Sequence, residues 1–380
     1  MKKRIWLGAA LAAVISGCLG LALAGAGESR EETARDKSVL RVTILDSGDY
    51  YHSDAGIENG ISLALKEIKE ELGITVELDI VDDGEDYAKG ISLAKALAGD
   101  KEVDVALSFQ NFESIGATAE IFEEAEKPLV VTMGCYDEVA DAGYAYFLAD
   151  FLSGKAIGNR IGTWLAEKGV KSIALCHSDT KFEKDEIRGL QAALEKEEGI
   201  SVKDSVTGPF DEESLSALLV RCRKLGVDAV VANFYDREDS AWLIRRLREK
   251  APGLTVAGDY ALDSTEILQE YGTGLEGAVI VPVYPYVKSD KLTAFVAKYE
   301  KESGQTFSTA AVQYYDLFRM LAECYKKTGD VKAAFMSALK SEDGYEGAAG
   351  TLRFDESGRL LAGECPVAVC RGGEFVFEEE

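Results

Sequence analysis

Histidine is the first limit on what this chain can catalyse: His52 and His177 are the only two in 380 residues. That leaves little material for a zinc site or for the commonest general base. His177 is followed by Ser178 and Asp179, but consecutive residues point in different directions, whereas a nucleophile, its base and the orienting carboxylate must converge in space. Gly272-Thr273-Gly274-Leu275-Glu276-Gly277 matches a dinucleotide fingerprint letter for letter. Such a fingerprint must follow a strand and open a helix, so that the helix N-terminus meets the pyrophosphate. This one follows a short helix and leads into an apolar run, Ala278 to Val283, so it reads as turn glycines. The chain has no G-x-x-x-x-G-K-[ST], H-E-x-x-H, C-x-x-C or G-x-S-x-G. No enzyme, cofactor or metal is expected.

Non-covalent binding has more material. Ser47-Gly48-Asp49-Tyr50-Tyr51 follows a first predicted strand, Gln110-Asn111-Phe112 a third, and Gly134-Cys135-Tyr136 a fourth. Further on come Ser178, Asp179 and Phe182, then Phe234-Tyr235-Asp236, then Asp259-Tyr260. Ligands of open parallel sheets bind beyond the carboxyl ends of the strands, where helix N-termini and loop side chains are exposed. Aromatic rings mixed with hydrogen-bonding groups suit a small ligand with an apolar body and a polar head. Any one of these positions is as readily an ordinary loop residue; the set carries the argument.

The elements that must place them alternate. Leu40 to Leu45 reads as a buried strand, and Ile57, Ile61, Leu65, Ile68 and Leu72 then recur on one helical face. Strands at Thr75 to Val81, Val103 to Phe109 and Leu129 to Met133 alternate with helices at Tyr87 to Leu97 and Ile115 to Ala125. A second series after Asp150 repeats the alternation, with strands at Ser172 to Cys176, Val202 to Val206, Ala229 to Ala232, Thr255 to Ala257 and Ala278 to Val283. This is the pattern of α/β sheets with parallel strands, right-handed crossovers and helices on both faces, here two sheets of similar size. The tail departs from it: Leu292 to Tyr299, Ala310 to Tyr325 and Val331 to Leu339 are helical without intervening strands. Thr351 to Phe354, Pro366 to Cys370 and Glu374 to Glu379 then read as short returning strands.

Forty-two Lys plus Arg against 67 Asp plus Glu give a net charge of −25, which repels phosphate backbones, so no nucleic-acid partner is expected. With 47% apolar residues the chain can fill proper cores. Lys2, Lys3 and Arg4 precede an uncharged run from Ile5 to Gly27, the pattern of an export signal. Three fates stay open for it: lipidation at Cys18 within Ile15-Ser16-Gly17-Cys18, ordinary cleavage after Ala22-Leu23-Ala24, or retention as an anchor, since ~20 apolar residues span a ~30 Å hydrocarbon core. Residues 1–24 are thus assigned as signal or lipoprotein segment and 25–38 as a flexible linker. Of the six later cysteines, Cys365 and Cys370 lie five residues apart. On one strand that is ~16 Å, beyond disulfide reach. Most of the six sit in apolar runs and read as small buried hydrophobes.

Several segments together resemble the type I periplasmic binding proteins of the branched-chain amino acid group, the solute-binding components of ABC importers. The resemblance rests on Asp54-Ala55-Gly56-Ile57-Glu58-Asn59-Gly60, Asp82-Asp83, Gly226-Val227-Asp228-Ala229-Val230-Val231, Leu275-Glu276-Gly277-Ala278, Tyr314-Tyr315 and Gly350 to Gly358, in that order along Val39 to Phe377. It implies two Rossmann-like lobes, residues 39–149 with 284–348 and 150–283 with 349–380, joined by three hinge crossovers and closing on ligand. It further implies a monomeric extracytoplasmic protein that hands an amino acid or similar polar solute to a membrane permease. A sensory module without transport is the alternative. Carried over position by position, the family's contacts fall on Asn111, Cys135 and Tyr136 in the first lobe and on Phe182, Phe234 or Tyr235, and Tyr260 in the second; Tyr50 and Gln110 join them from the strand-end argument. Two positions depart from the family: Tyr260 stands where amino-acid binders carry an acid, with Asp259 one place earlier, and Asn111 and Tyr136 replace the usual hydroxyl residues. An amide or aromatic ligand is therefore equally compatible.

Overall fold

The computed structural model describes residues 36–110, 112–133, 137–197, 199–332, 343–361 and 367–377. Strands β1 (Val39–Asp46), β2 (Thr75–Asp82), β3 (Val105–Ser108), β4 (Leu129–Val131) and β5 (Phe147–Ala149) form a parallel sheet in the order β2-β1-β3-β4-β5. The interior strand β1 is a near-continuous buried run, whereas β2 at the edge alternates toward solvent. Helices α1 (Ala55–Glu67), α2 (Tyr87–Gly99), α3 (Phe112–Glu124) and the short α4 (Asp137–Asp141) make the crossovers. Asp54 caps α1 by accepting from Gly56 N at 2.7 Å, and Asp86 caps α2.

The second sheet runs β14-β13-β10-β9-β8-β6-β7. Strands β6 (Ser172–His177), β7 (Ser201–Thr207), β8 (Ala229–Asn233), β9 (Thr255–Gly258) and β10 (Val279–Ile280) are parallel. Two later strands, β13 (Ala368–Arg371) and β14 (Glu374–Phe377), extend it antiparallel, so this sheet is mixed. Its helices are α5 (Gly154–Glu167), α6 (Lys181–Leu194), α7 (Glu212–Leu225), α8 (Arg237–Lys250) and α9 (Thr265–Tyr271). Gly272–Leu275 form a 3-10 turn after α9 before β10, which bears out the reading of these glycines as turn residues. β10 is shorter than the Ala278 to Val283 expected, because beyond Ile280 the chain leaves the sheet.

Helices α10 (Asp290–Ser303) and α11 (Thr309–Thr328) return to pack on α1, with Tyr315 Oη donating to Glu67 at 2.6 Å and, in the turn Ile68–Leu72 that follows α1, Arg319 pairing with Glu71 at 2.7 Å. A two-stranded ribbon, β11 (Tyr345–Glu346) with β12 (Thr351–Leu352), precedes β13. The chain therefore passes between the sheets three times: after β5, after β10 and after β12. These passages are stitched together. Leu152 N donates to Val283 O at 2.7 Å and Val287 N to Ala349 O at 2.9 Å. From α11, Gln313 Nε2 donates to Asp150 O at 2.7 Å, while Asp316 accepts from Ala348 N and Ala349 N at 2.7 and 2.8 Å. One helix thus ties the first connection to the β11–β12 ribbon that leads into the third.

Cys176, Cys222, Cys324 and Cys370 are free and buried, as expected of small hydrophobes. Cys18, Cys135, Cys365 and most of the expected helix Val331 to Leu339 lie outside the described residues. Among the described residues no helix is long and apolar enough to cross a membrane.

Candidate functional site

The carboxyl ends of the two sheets face each other across a small cavity of about 60 Å³. Tyr50, Asp54, Thr132 and Tyr314 wall it on the side of the first sheet; Arg237, Tyr260 and Asp263 wall it on the side of the second. Tyr50 leads a run of edge-to-face rings, 5.8 Å to Phe109 and from there 5.4 Å to Tyr314. Tyr314 Oη donates to Thr132 Oγ1 at 3.1 Å. Opposite, Tyr260 meets Phe182 edge to face at 5.8 Å. An aromatic wall on either side with polar groups between is what orients a small solute. A larger groove of about 990 Å³ lies between α10 and β14 and shares no residue with this cavity.

Contacts between the mouths join the two sides directly. Arg237 Nη2 donates to Ser53 O at 2.9 Å, and Ala55 N donates to Glu266 Oε1 at 3.1 Å. Asp263 accepts from Thr309 N at 3.1 Å and from the Thr309 hydroxyl. At the rim α4 is tied to α5 by Lys155–Asp137 at 2.7 Å and to α6 by Lys181–Glu138.

Acid dominates the electrostatics. Burial pushes Asp54 up to about 6, with Glu266 adding to it and the Gly56 N–H and Arg237 opposing. Burial also pushes Asp263 up to about 7 against its bonds from Thr309. Behind Tyr260 stand Glu183 and Glu186 of α6 and Asp259 at the end of β9, with 2, 2 and 3% of their surface exposed. Burial raises all three, Glu183 to about 7, and the mutual proximity of Glu186 to Asp259 and Glu183 adds to it. A raised native pKa means that the folded chain holds protons the unfolded chain has released. The stability contributed by Asp54, Asp263, Glu183 and the hinge residue Asp316, also near 7, is therefore full below ~4 and is lost as pH rises through 6 to 7. Calorimetric melting of the solute-free protein is expected to give a lower melting temperature at pH 8 than at pH 5; a flat or rising profile contradicts these assignments.

Of the residues proposed from sequence, the structure brings Tyr50 and Tyr260 to the cavity, sets Phe182 against Tyr260, and leaves Tyr235 at the rim, 55% exposed. Two are corrected. Gln110 is wholly buried and its amide is used internally, Nε2 donating to Asp83 at 3.0 Å and Oε1 accepting from Thr118 at 2.7 Å. Phe234 follows Asn233 out of β8 and packs on Phe210 at 5.9 Å within the second sheet's core, because alternate strand residues face opposite ways. Asn111, Cys135 and Tyr136 lie outside the described residues. Sequence reasoning missed Asp54, Thr132, Arg237 and Asp263 as cavity residues, and Glu183 and Glu186 behind it. The two glutamates did carry a signal: with Leu190 they recur at helical spacing on the buried face of α6.

The family model for periplasmic binding proteins matches residues 42–374. The chain belongs to the periplasmic binding protein family. Solved structures agree on the fold of this binding protein. An ABC transporter substrate-binding protein from Desulfitobacterium hafniense, in complex with Leu, is 19% identical, with a TM-score of 0.76 over 90% of this chain and 100% of that one. The leucine binding protein LivK from Thermotoga maritima is 18% identical, with a TM-score of 0.72 over 90 and 97%. A solute binding protein of an ABC transporter from R. palustris, in complex with 4-hydroxybenzoate, is 19% identical, with a TM-score of 0.73 over 90 and 96%. Comparison with curated proteins gives no significant match. The fold is the type I periplasmic binding protein fold, α/β with one parallel and one mixed sheet.

Proposed function

We propose that this periplasmic binding protein captures a small polar solute between its two lobes, residues 39–149 with 284–348 and residues 150–283 with 349–380, and presents it to the permease of an ABC importer. The observation that carries this reading is the cavity itself: aromatic and acidic side chains from the strand ends of two sheets converge where three stitched passages of chain allow a hinge. The mechanism needs no covalent step. A solute that touches Tyr50 on one side and Tyr260 on the other stabilises the closed arrangement by its differential affinity for that arrangement. Transport, an extracytoplasmic location and a lipid anchor at Cys18 follow from the same reading. The two lobes shut on Arg237–Ser53 and Glu266–Ala55, so replacing Arg237 by alanine should loosen closure. Small-angle scattering tests this: a saturating solute lowers the radius of gyration of the parent, and an unchanged radius with solute bound contradicts hinged capture.

A further inference from the structure

Glu183, Glu186 and Asp259 form an acidic wall with an unusual balance. Neither oxygen of Glu186, one oxygen of Glu183 and the Oδ1 of Asn233, itself 2% exposed, makes a hydrogen bond at normal geometry. The groups acting on the three carboxylates are one another, the Asn233 amide and local backbone N–H groups, and no Lys or Arg is among them. The cations of α6 are turned outward: Lys181 pairs with Glu138, Lys184 with Asp179 and Arg188 with Asp185. Buried carboxylates without a counter-charge cost several kcal/mol each unless they hold protons or meet a cation. The wall lies behind Tyr260, which lines the cavity: Asp259 precedes Tyr260 in the chain, and Phe182, next to Glu183 on α6, meets the Tyr260 ring at 5.8 Å, while Glu186 and Asn233 line a separate pocket of about 10 Å³.

On the cavity side the balance is the same. Among the described lining residues Arg237 is the one cation, and it already donates to Ser53 O and faces Asp54. A solute carboxylate placed there meets Asp54 and Asp263. The rings of Tyr50 and Tyr260, which line the cavity, add a further preference for positive charge.

Resting on the solute-capture reading above, we propose that the captured solute is a net organic cation, an alkyl amine or guanidine, whose charged group is neutralised by Glu186 together with Glu183 and Asp259. The test is calorimetric titration of the full folded protein with putrescine, agmatine and L-arginine, and with L-leucine and 4-hydroxybenzoate, on the parent and on Glu186→Gln and Glu183→Gln. At least one of the three cations binds the parent, and each glutamine variant weakens it roughly ten- to a hundredfold, the effect of losing one charged hydrogen-bond partner. Should one variant fail to fold, the other carries the comparison. A cation that binds the parent and both variants equally overturns the assignment. If leucine or 4-hydroxybenzoate binds and no cation does, the proposal falls while solute capture stands. If no probe of any class binds, the proposal falls and the capture reading loses its support with it.

Discussion

Gly158→Ala destabilises the protein by about 2–3 kcal/mol, the upper range for forcing a methyl group into a closed contact. Helices α5 and α6 meet along a seam of small residues. A Cβ built on Gly158 would lie 1.8 Å from Glu186 O, one on Gly189 2.1 Å from Lys155 O, and one on Gly154 2.9 Å from Phe182 O. The obstacle at each is backbone, which cannot rotate away as a side-chain tip can, so the helices must separate. Gly99→Ala is the control: nothing lies within 4 Å of the added methyl there, and Ala is the better helix former. Chemical denaturation should show a large loss for the first variant and little or none for the second. The seam also reaches the site, because α6 carries Phe182, Glu183 and Glu186; pushing it off α5 moves the support of Tyr260. Equal stability of Gly158→Ala and the parent would mean that the helices do not approach this closely.

What could be read in advance divides by the distance over which each feature is decided. The alternation of strands and helices is local, and it placed Tyr50 and Tyr260 at the ends of β1 and β9, where both line the cavity. β5 escaped notice because three residues carry no period, and its partners are β4 and a bridge from Ala149 to Arg359. The internal use of Gln110 is not legible in sequence, because the groups that satisfy its amide, Asp83 and Thr118, come from other elements and are unknown until the sheet is assembled. Arg237 and Asp54 look like ordinary helix-opening residues in sequence, and Asp54 is indeed a cap. They become site residues because the two sheets bring the second lobe's arginine to Ser53 O. Glu183 and Glu186 were legible in principle, as two acids on the apolar face of a helix, a local conflict of the kind that marks functional positions.

Tyr260→Ala is expected to weaken solute binding ten- to a hundredfold while leaving the fold intact. The ring lines the cavity from the second sheet and leans on Phe182 at 5.8 Å. Burying an aromatic side chain is worth roughly 1.5–3 kcal/mol, and a factor of ten in affinity is ~1.4 kcal/mol. Since the phenol does not sit at the centre of either apolar core but against both mouths, its loss falls mainly on the solute and on closure. The most direct measurement is isothermal titration of the parent and of Tyr260→Ala with the tightest-binding compound among putrescine, agmatine, L-arginine, L-leucine and 4-hydroxybenzoate. A solute held between Tyr50 and Tyr260 gives a tenfold or greater loss of affinity in the variant. Equal affinity in the two proteins would place the solute outside the cleft between the sheets and contradict the account.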